Sequence, residues 1–315
     1  MWPPIAKPAN VPSRPRRRQG SSPLLRTALL AALLATCVLS APVVLAALHG
    51  VKAPLAAQSQ VESGQAVVSG LAPGACMSFV PLDGRYAKTV FIDPGHGGLD
   101  PGVVGMAGGR QVLEKTVALS VATRLGELLR GDGYRVVLSR TGDSSVANLS
   151  EGDSIAGALT ASAEHRDLVS RITCANASAA SMLLSIHFDA FDDPAVGGAE
   201  TFYDAARAFA GANQNLATDL QSALVTGLGV SDRGIWTDDG VGTALTSEGT
   251  LYNHLLLLGP AAAGWVDHPT DMPGALVEPL FLTNPSEARL AADPVGQQRI
   301  AEALRHGVEK YLSAG

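Results

Sequence analysis

The chain has 315 residues, enough for one large domain or two small ones with a full core. Its formal net charge of −6 excludes the basic profile of a general nucleic-acid binder. Aromatic residues, at 5%, supply little material for a stacked sugar-binding platform.

Residues 1–26 are rich in Pro and Arg and read as a disordered basic tail. Arg14, Arg16, Arg17, Arg18 and Arg26 lead into an apolar run, Thr27–Leu48, long enough for a bilayer, which needs ~20 residues. Such a flank keeps the N-terminus inside the cell and sends the rest outward. The run reads as a transmembrane anchor, because its apolar character continues past Pro42. A signal peptide with the small-residue site Val44-Leu45-Ala46 is the alternative. Residues 49–84 read as a linker, with an edge strand or hairpin within Val67–Val80, and the main domain occupies 85–315. Cys37 falls in the apolar run, which leaves Cys76 and Cys174 in the exported part. Two thiols in an oxidising compartment often pair, so a Cys76–Cys174 disulfide is expected; two unrelated buried thiols are the alternative.

Alternating β and α signals begin at Thr89. Thr89–Asp93 is a short apolar strand that breaks at Pro94-Gly95. Glu114–Leu129 has a helical apolar period and stops at Gly131 and Gly133. Tyr134–Leu138 is strand-like, Leu168–Ala179 helical, Met182–Ile186 a buried strand and Ala199–Tyr203 another. Asn213–Gly227 reads as a helix, Ala275–Val277 as a strand, and Pro294–Leu312 as a closing helix. This pattern predicts an α/β domain with a mostly parallel twisted sheet and helices on both faces. Its ligand site should lie at the carboxyl ends of the strands. Segments 142–165 and 236–272 do not fit a compact core, and they read as functional or mobile loops, together a lid or partner surface over the rim.

Four residues stand at the expected rim. His96 sits in a glycine-rich loop that can bring an imidazole close to a small ion; a phosphate-cradling loop is the alternative, but no Gly-Lys-Ser/Thr follows. Glu114 opens a helix, where a carboxylate also suits the helix dipole. His187 ends an apolar strand, where a satisfied core histidine is the plainer reading. Glu278 ends another strand, where a buried carboxylate is costly unless used, and where burial raises its pKa towards that of a working base. Two imidazoles and a carboxylate can hold a zinc ion and leave one position for water, with the fourth residue moving the proton. Asp93 is expected to orient His96, and Asp189, two residues beyond His187, to orient that ring or a substrate. Glu200 is the other candidate for the role of Glu278.

The motifs Thr89-Val-Phe-Ile-Asp-Pro-Gly-His-Gly-Gly-Leu-Asp-Pro-Gly102, Leu113-Glu-Lys115, Arg140-Thr-Gly-Asp143, Ser185-Ile-His187, Gly198-Ala-Glu-Thr-Phe-Tyr203 and Val277-Glu-Pro-Leu-Phe-Leu-Thr-Asn284 occur in one order over roughly 88–312. Together with Leu168, Arg171, Ala175 and Asn176 they resemble the zinc-dependent N-acetylmuramoyl-L-alanine amidases of the amidase-3 type. The resemblance implies Zn2+ as cofactor, His96, Glu114 and His187 as its ligands, and Glu278 as the catalytic carboxylate. It also implies peptidoglycan muropeptides as substrate and an extracytoplasmic location at the membrane face, periplasm or wall. The membrane is a further partner if Thr27–Leu48 is retained; no nucleic-acid partner is expected, and the chain is expected to be a monomer. Two departures bear on local geometry: Asp189 stands where the family commonly has Asn, and Glu278-Pro-Leu-Phe281 replaces Glu-x-Gly-Phe. Another zinc hydrolase acting on peptidoglycan and a non-catalytic wall-binding regulator are the competing readings.

Overall fold

The computed structural model describes residues 64–83, 88–241, 243–246 and 249–314. The tail, the Thr27–Leu48 run and linker residues 49–63 lie outside the described residues. The main sheet takes eight strands: β1 (Gln65–Ala66), β2 (Ala75–Phe79), β3 (Thr89–Pro94), β4 (Arg135–Arg140), β5 (Met182–Ile186), β6 (Ala199–Tyr203), β7 (Asp232–Thr237) and β8 (Gly274–Glu278). The helices are α1 (Glu114–Gly131), α2 (Ala161–Ser178), α3 (Ala210–Leu228), α4 (Pro285–Ala292) and α5 (Pro294–Ala314).

Spatial order in the sheet is β1-β2-β4-β3-β5-β8-β6-β7. Strands β4, β3, β5 and β8 are mutually parallel. They are short apolar runs, buried on both faces, as parallel strands between helices must be. β1 and β2 form an edge hairpin, antiparallel to each other and to β4; β2 falls within Val67–Val80, but β1 lies just before that stretch. β6 runs antiparallel to β8, with β7 parallel beside it. This reversal turns the amino end of β6 to the same rim as the carboxyl end of β8.

One face of the sheet packs on α1, α3 and α5, through Val117, Val121, Leu125, Leu216, Leu220 and Leu304. The other face is covered by α2 and by part of 252–272, through Ile172, Leu256, Leu257, Leu258, Val266 and Met272. Part of the second long segment, Leu256–Leu258 with Val266 and Met272, is therefore core and not a free loop. The segment escaped the periodicity reading because its regular structure is one hairpin of three-residue strands, Thr243–Leu245 and Leu251–Asn253. Segment 142–165 is likewise tied down: Asp167 Oδ1 accepts from Val146 N at 2.6 Å and Ala147 N at 2.8 Å. Its last residues belong to α2, which starts at Ala161, where the Thr160 hydroxyl caps Ala163 N at 3.2 Å. The first turns of that helix lack an apolar stripe, so sequence alone started it later.

Cys76 on β2 and Cys174 on α2 are joined by a disulfide, which ties the edge hairpin to a core helix as expected.

Candidate active site

Sheet register assembles the site. Pro94 of β3 pairs with Ile186 of β5, and Ile186 with Val277 of β8. The next residues along these rows are Gly95, His187 and Glu278, at the carboxyl rim. Gly95 must be small: a Cβ there would stand 2.3 Å from His187 Cε1. After Gly95 the chain turns through His96, whose φ of +58° lies in the left-handed region and costs ~1–3 kcal/mol. Buried arginines hold the turn. Arg171 Nη2 donates to His96 O at 2.6 Å, and Arg140 Nη2 to Gly95 O at 2.7 Å. The loop then folds back, with Gly97 N donating to Asp100 O at 3.0 Å.

The fold brings His96, Glu114 and His187 together. His96 Nε2 lies 3.0 Å from Glu114 Oε1, His187 Nδ1 lies 3.0 Å from the same oxygen, and the two ring nitrogens are 3.2 Å apart. Glu114 serves these rings and two backbone amides outside its own helix, Val103 N to Oε2 at 2.7 Å and Phe188 N to Oε1 at 2.9 Å. It is therefore more than a helix-dipole partner. Gly102 allows this, since a Cβ there would meet Glu114 Oε2 at 2.5 Å and His96 Cδ2 at 2.7 Å.

The donor set suits a tetrahedral cation. Zinc bonds of ~2.0–2.1 Å give tetrahedral edges of roughly 3.3–3.4 Å, close to the spacing of these three atoms. Two facing nitrogens and a carboxylate at such range need a shared proton or a cation between them. Burial disfavours charge on the His96 ring, but the carboxylates of Glu114 and Asp100 push it up to about 10. Burial works against Glu114 as an anion too, yet His96 and His187 hold it well below the usual carboxylate range. A metal ion taking this site would displace that proton.

The partner of His96 is not the residue expected. Asp93 receives Arg171 Nη1 at 2.7 Å and the Ser185 hydroxyl at 2.8 Å, so it acts on the loop through Arg171. The other ring nitrogen, His96 Nδ1, sits 2.7 Å from Asp100 Oδ2 instead, because the loop curls back four residues on. A carboxylate on the far nitrogen fixes ring orientation and raises ligand basicity. Asp189 is not seen orienting His187 either; its carboxyl faces that of Glu200. Burial and Glu200 push it up to about 7, while Arg233 pulls it down.

Glu278 ends β8 beside these acids, directly across from Glu200 in the antiparallel register. Its Oε2 is sealed from solvent and has no hydrogen-bond partner among the described residues. Burial, then the charges of Glu114, Asp189 and Glu200, raise its pKa well above the usual range. Arg233 Nε donates to Glu200 Oε2 at 2.8 Å, and its guanidinium lies 4.8 Å from the Phe281 ring centroid. Arg233 lies on β7, a strand without a clear sequence signal, and was not read as part of the site. A cavity of about 170 Å³ adjoins the site, lined by His96, His187 and Leu255–Leu257 among others.

The family model described as N-acetylmuramoyl-L-alanine amidase matches residues 90–310. The chain belongs to this amidase-3 family. It is 31% identical over 234 residues to the germination-specific N-acetylmuramoyl-L-alanine amidase of Bacillus subtilis, covering 74% of this chain and 82% of that one. It is also 31% identical over 224 residues to N-acetylmuramoyl-L-alanine amidase LytC of the same organism, covering 71% of this chain but 35% of LytC. The fold resembles that of the CwlD amidase from Clostridioides difficile, solved in complex with the GerS lipoprotein. There the TM-score is 0.57 at 27% identity, over 73% of this chain and all of that one.

Proposed function

We propose that this chain hydrolyses the amide between the lactyl group of N-acetylmuramic acid and L-alanine in peptidoglycan, for wall remodelling or daughter-cell separation. The observation that carries this reading is the meeting of His96, Glu114 and His187 beside a buried, unpaired Glu278, in a chain of the amidase-3 family. His96 Nε2, His187 Nδ1 and Glu114 Oε1 would hold Zn2+, with Asp100 steadying His96. Bound there, Zn2+ would supply Lewis-acid chemistry for water and for the scissile carbonyl.

The remaining work falls to protein groups. Glu278 Oε2 has no internal hydrogen bond to give up, so it is free to take the proton from the attacking water. Its raised pKa suits it to return that proton to the amine of L-alanine as the C–N bond breaks. Asp189 and Glu200 keep Glu278 basic by repelling its negative form, and Arg233 limits that repulsion. Arg171 and Arg140 hold the His96 turn so that the ring does not swing away.

The 85–315 segment would be the catalytic domain, and Thr27–Leu48 an anchor or export signal that places it outside the membrane. The Cys76–Cys174 disulfide suits an oxidising compartment of that kind. Digestion of purified sacculi tests the reaction. Mass spectrometry should find free stem peptides beginning with L-alanine and glycan strands with an unsubstituted lactyl carboxylate. Products that keep muramic acid joined to L-alanine would point instead to a peptidase or a deacetylase.

A further inference from the structure

Antiparallel β6 carries Glu200 at the catalytic rim and delivers its following residue, Asp204, to the opposite rim. The register pairs Glu200 with Glu278 and Phe202 with Leu276, so Asp204 falls level with Gly274 at the start of β8. That is four residues along the strand from Glu278, or roughly 13 Å at ~3.3 Å per residue. Asp238 follows the end of β7, which is parallel to β6, and arrives at the same rim. His254 follows the Leu251–Asn253 strand and closes on both.

His254 Nδ1 stands 3.0 Å from Asp204 Oδ2 and 3.2 Å from Asp238 Oδ1. Both spacings equal those between His96, Glu114 and His187, and the three donor atoms all lie within 4.8 Å of one another. Both carboxylates are fully buried, at 0% exposure. Asp204 Oδ1 accepts from Ala206 N and Arg207 N, both at 2.8 Å, and Asp238 Oδ2 accepts from Leu255 N at 3.0 Å. Asp204 Oδ2 is sealed from solvent and accepts no hydrogen bond among the described residues. It points to the same spot as the other two donors.

A single imidazole N–H cannot serve two carboxylates at once, and here it is aligned with Asp238 Oδ1. The nearby Arg207 does not fill the gap, because its guanidinium donates to the carbonyls of Leu258, Gly259 and Thr270. Exposed Asp239 adds a third carboxylate, 3.7 Å from His254 Nδ1. Two buried carboxylates share one imidazole and the charge of Arg207, which is spent on carbonyls, and this arrangement favours a further cation between them.

We infer that Asp204, Asp238 and His254 form a second divalent-cation site, of the Zn2+ class, that staples the 238–272 segment to the sheet at the rim opposite the active site. Two carboxylates and one imidazole suit zinc better than an all-oxygen ion such as Ca2+ or Mg2+. The ion would lock Asp238 and His254, which flank the Thr243–Leu245 and Leu251–Asn253 hairpin, onto β6. Leu255–Leu257 follow directly and line the cavity beside His96 and His187, so the staple also sets that wall.

The test counts metal in the full-length chain after stripping with a chelator and reloading with Zn2+. Wild type should hold two equivalents, His254→Gln one, His187→Ala one, and the double variant none. His254 is only part-buried, and the His187→Ala count leaves the new cluster untouched, so a misfolded variant does not decide the matter. X-ray absorption at the zinc edge of the His187→Ala protein should show one nitrogen and two or more oxygen ligands. Its melting temperature should rise with Zn2+, and that rise should vanish in the double variant. A His187→Ala protein that holds no zinc, or a folded His254→Gln protein that holds as much as wild type, would overturn the inference. If the zinc-amidase reading fails, wild type would hold one equivalent, lost on His254→Gln and kept on His187→Ala.

Discussion

Glu114 and Glu278 stand on either side of one site and live in opposite surroundings. Both are carboxylates at the ends of regular elements, yet Glu114 faces two imidazoles and two backbone amides, whereas Glu278 faces other acids and its Oε2 meets no donor among the described residues. The first environment holds a carboxylate ionised and fixed, which is what a metal ligand requires. The second keeps a carboxylate near its protonated form and free of bonds, which is what a proton carrier requires. When two acids have their pKa values driven apart by their surroundings, the separation assigns the roles.

The largest way to break this contrast is to remove the ionised partner. Glu114→Gln should weaken zinc affinity by more than 10²-fold, beyond the ~10–100-fold typical of outer hydrogen-bond partners. Equilibrium dialysis against a competing chelator would measure it. Asp100→Asn should fall within that ~10–100-fold range, because the amide still reaches His96 Nδ1 but offers no charge. An unchanged affinity would leave Asp100 a loop-turn residue only.

The other side of the contrast is sharpened by Arg233→Met. This removes the cation that holds Asp189 down to about 7 against burial and the charge of Glu200. The acids around Glu278 should then hold their protons to higher pH, and the acidic limb of kcat/KM should move up by at most about one unit. A limb that moves down would contradict the assigned electrostatics. The same sign governs stability. Asp189 favours its protonated form in the fold, so its contribution is present below the ordinary value of 3.8 and is lost as pH rises through about 7.

Much of the site was legible because its residues terminate recognisable strands or begin a helix. Met182–Ile186 and Ala199–Tyr203 emerge with the predicted bounds, and rim placement follows from parallel pairing. What was hidden depends on tertiary geometry. Asp100 reaches His96 only because Gly97 and Asp100 pair across a tight turn. The role of Asp93 passes through Arg171, which comes from a helix 78 residues away. Antiparallel β6 is invisible in an alternating β/α pattern, yet that reversal sets Glu200 against Glu278 and sends Asp204 to the far rim. The 236–272 segment has no period to detect, and its Leu256–Leu258 become core only through contact with α2 and the sheet. Trimming that segment should therefore unfold the domain instead of uncovering the site.

The most direct test measures zinc content and turnover in one preparation of Glu278→Gln. The assigned roles predict unchanged zinc at the His96–Glu114–His187 centre and a fall in kcat of about 10²–10⁴-fold on muropeptides. A variant that loses its zinc, or one that keeps near-normal turnover, would contradict the division of labour between the two glutamates.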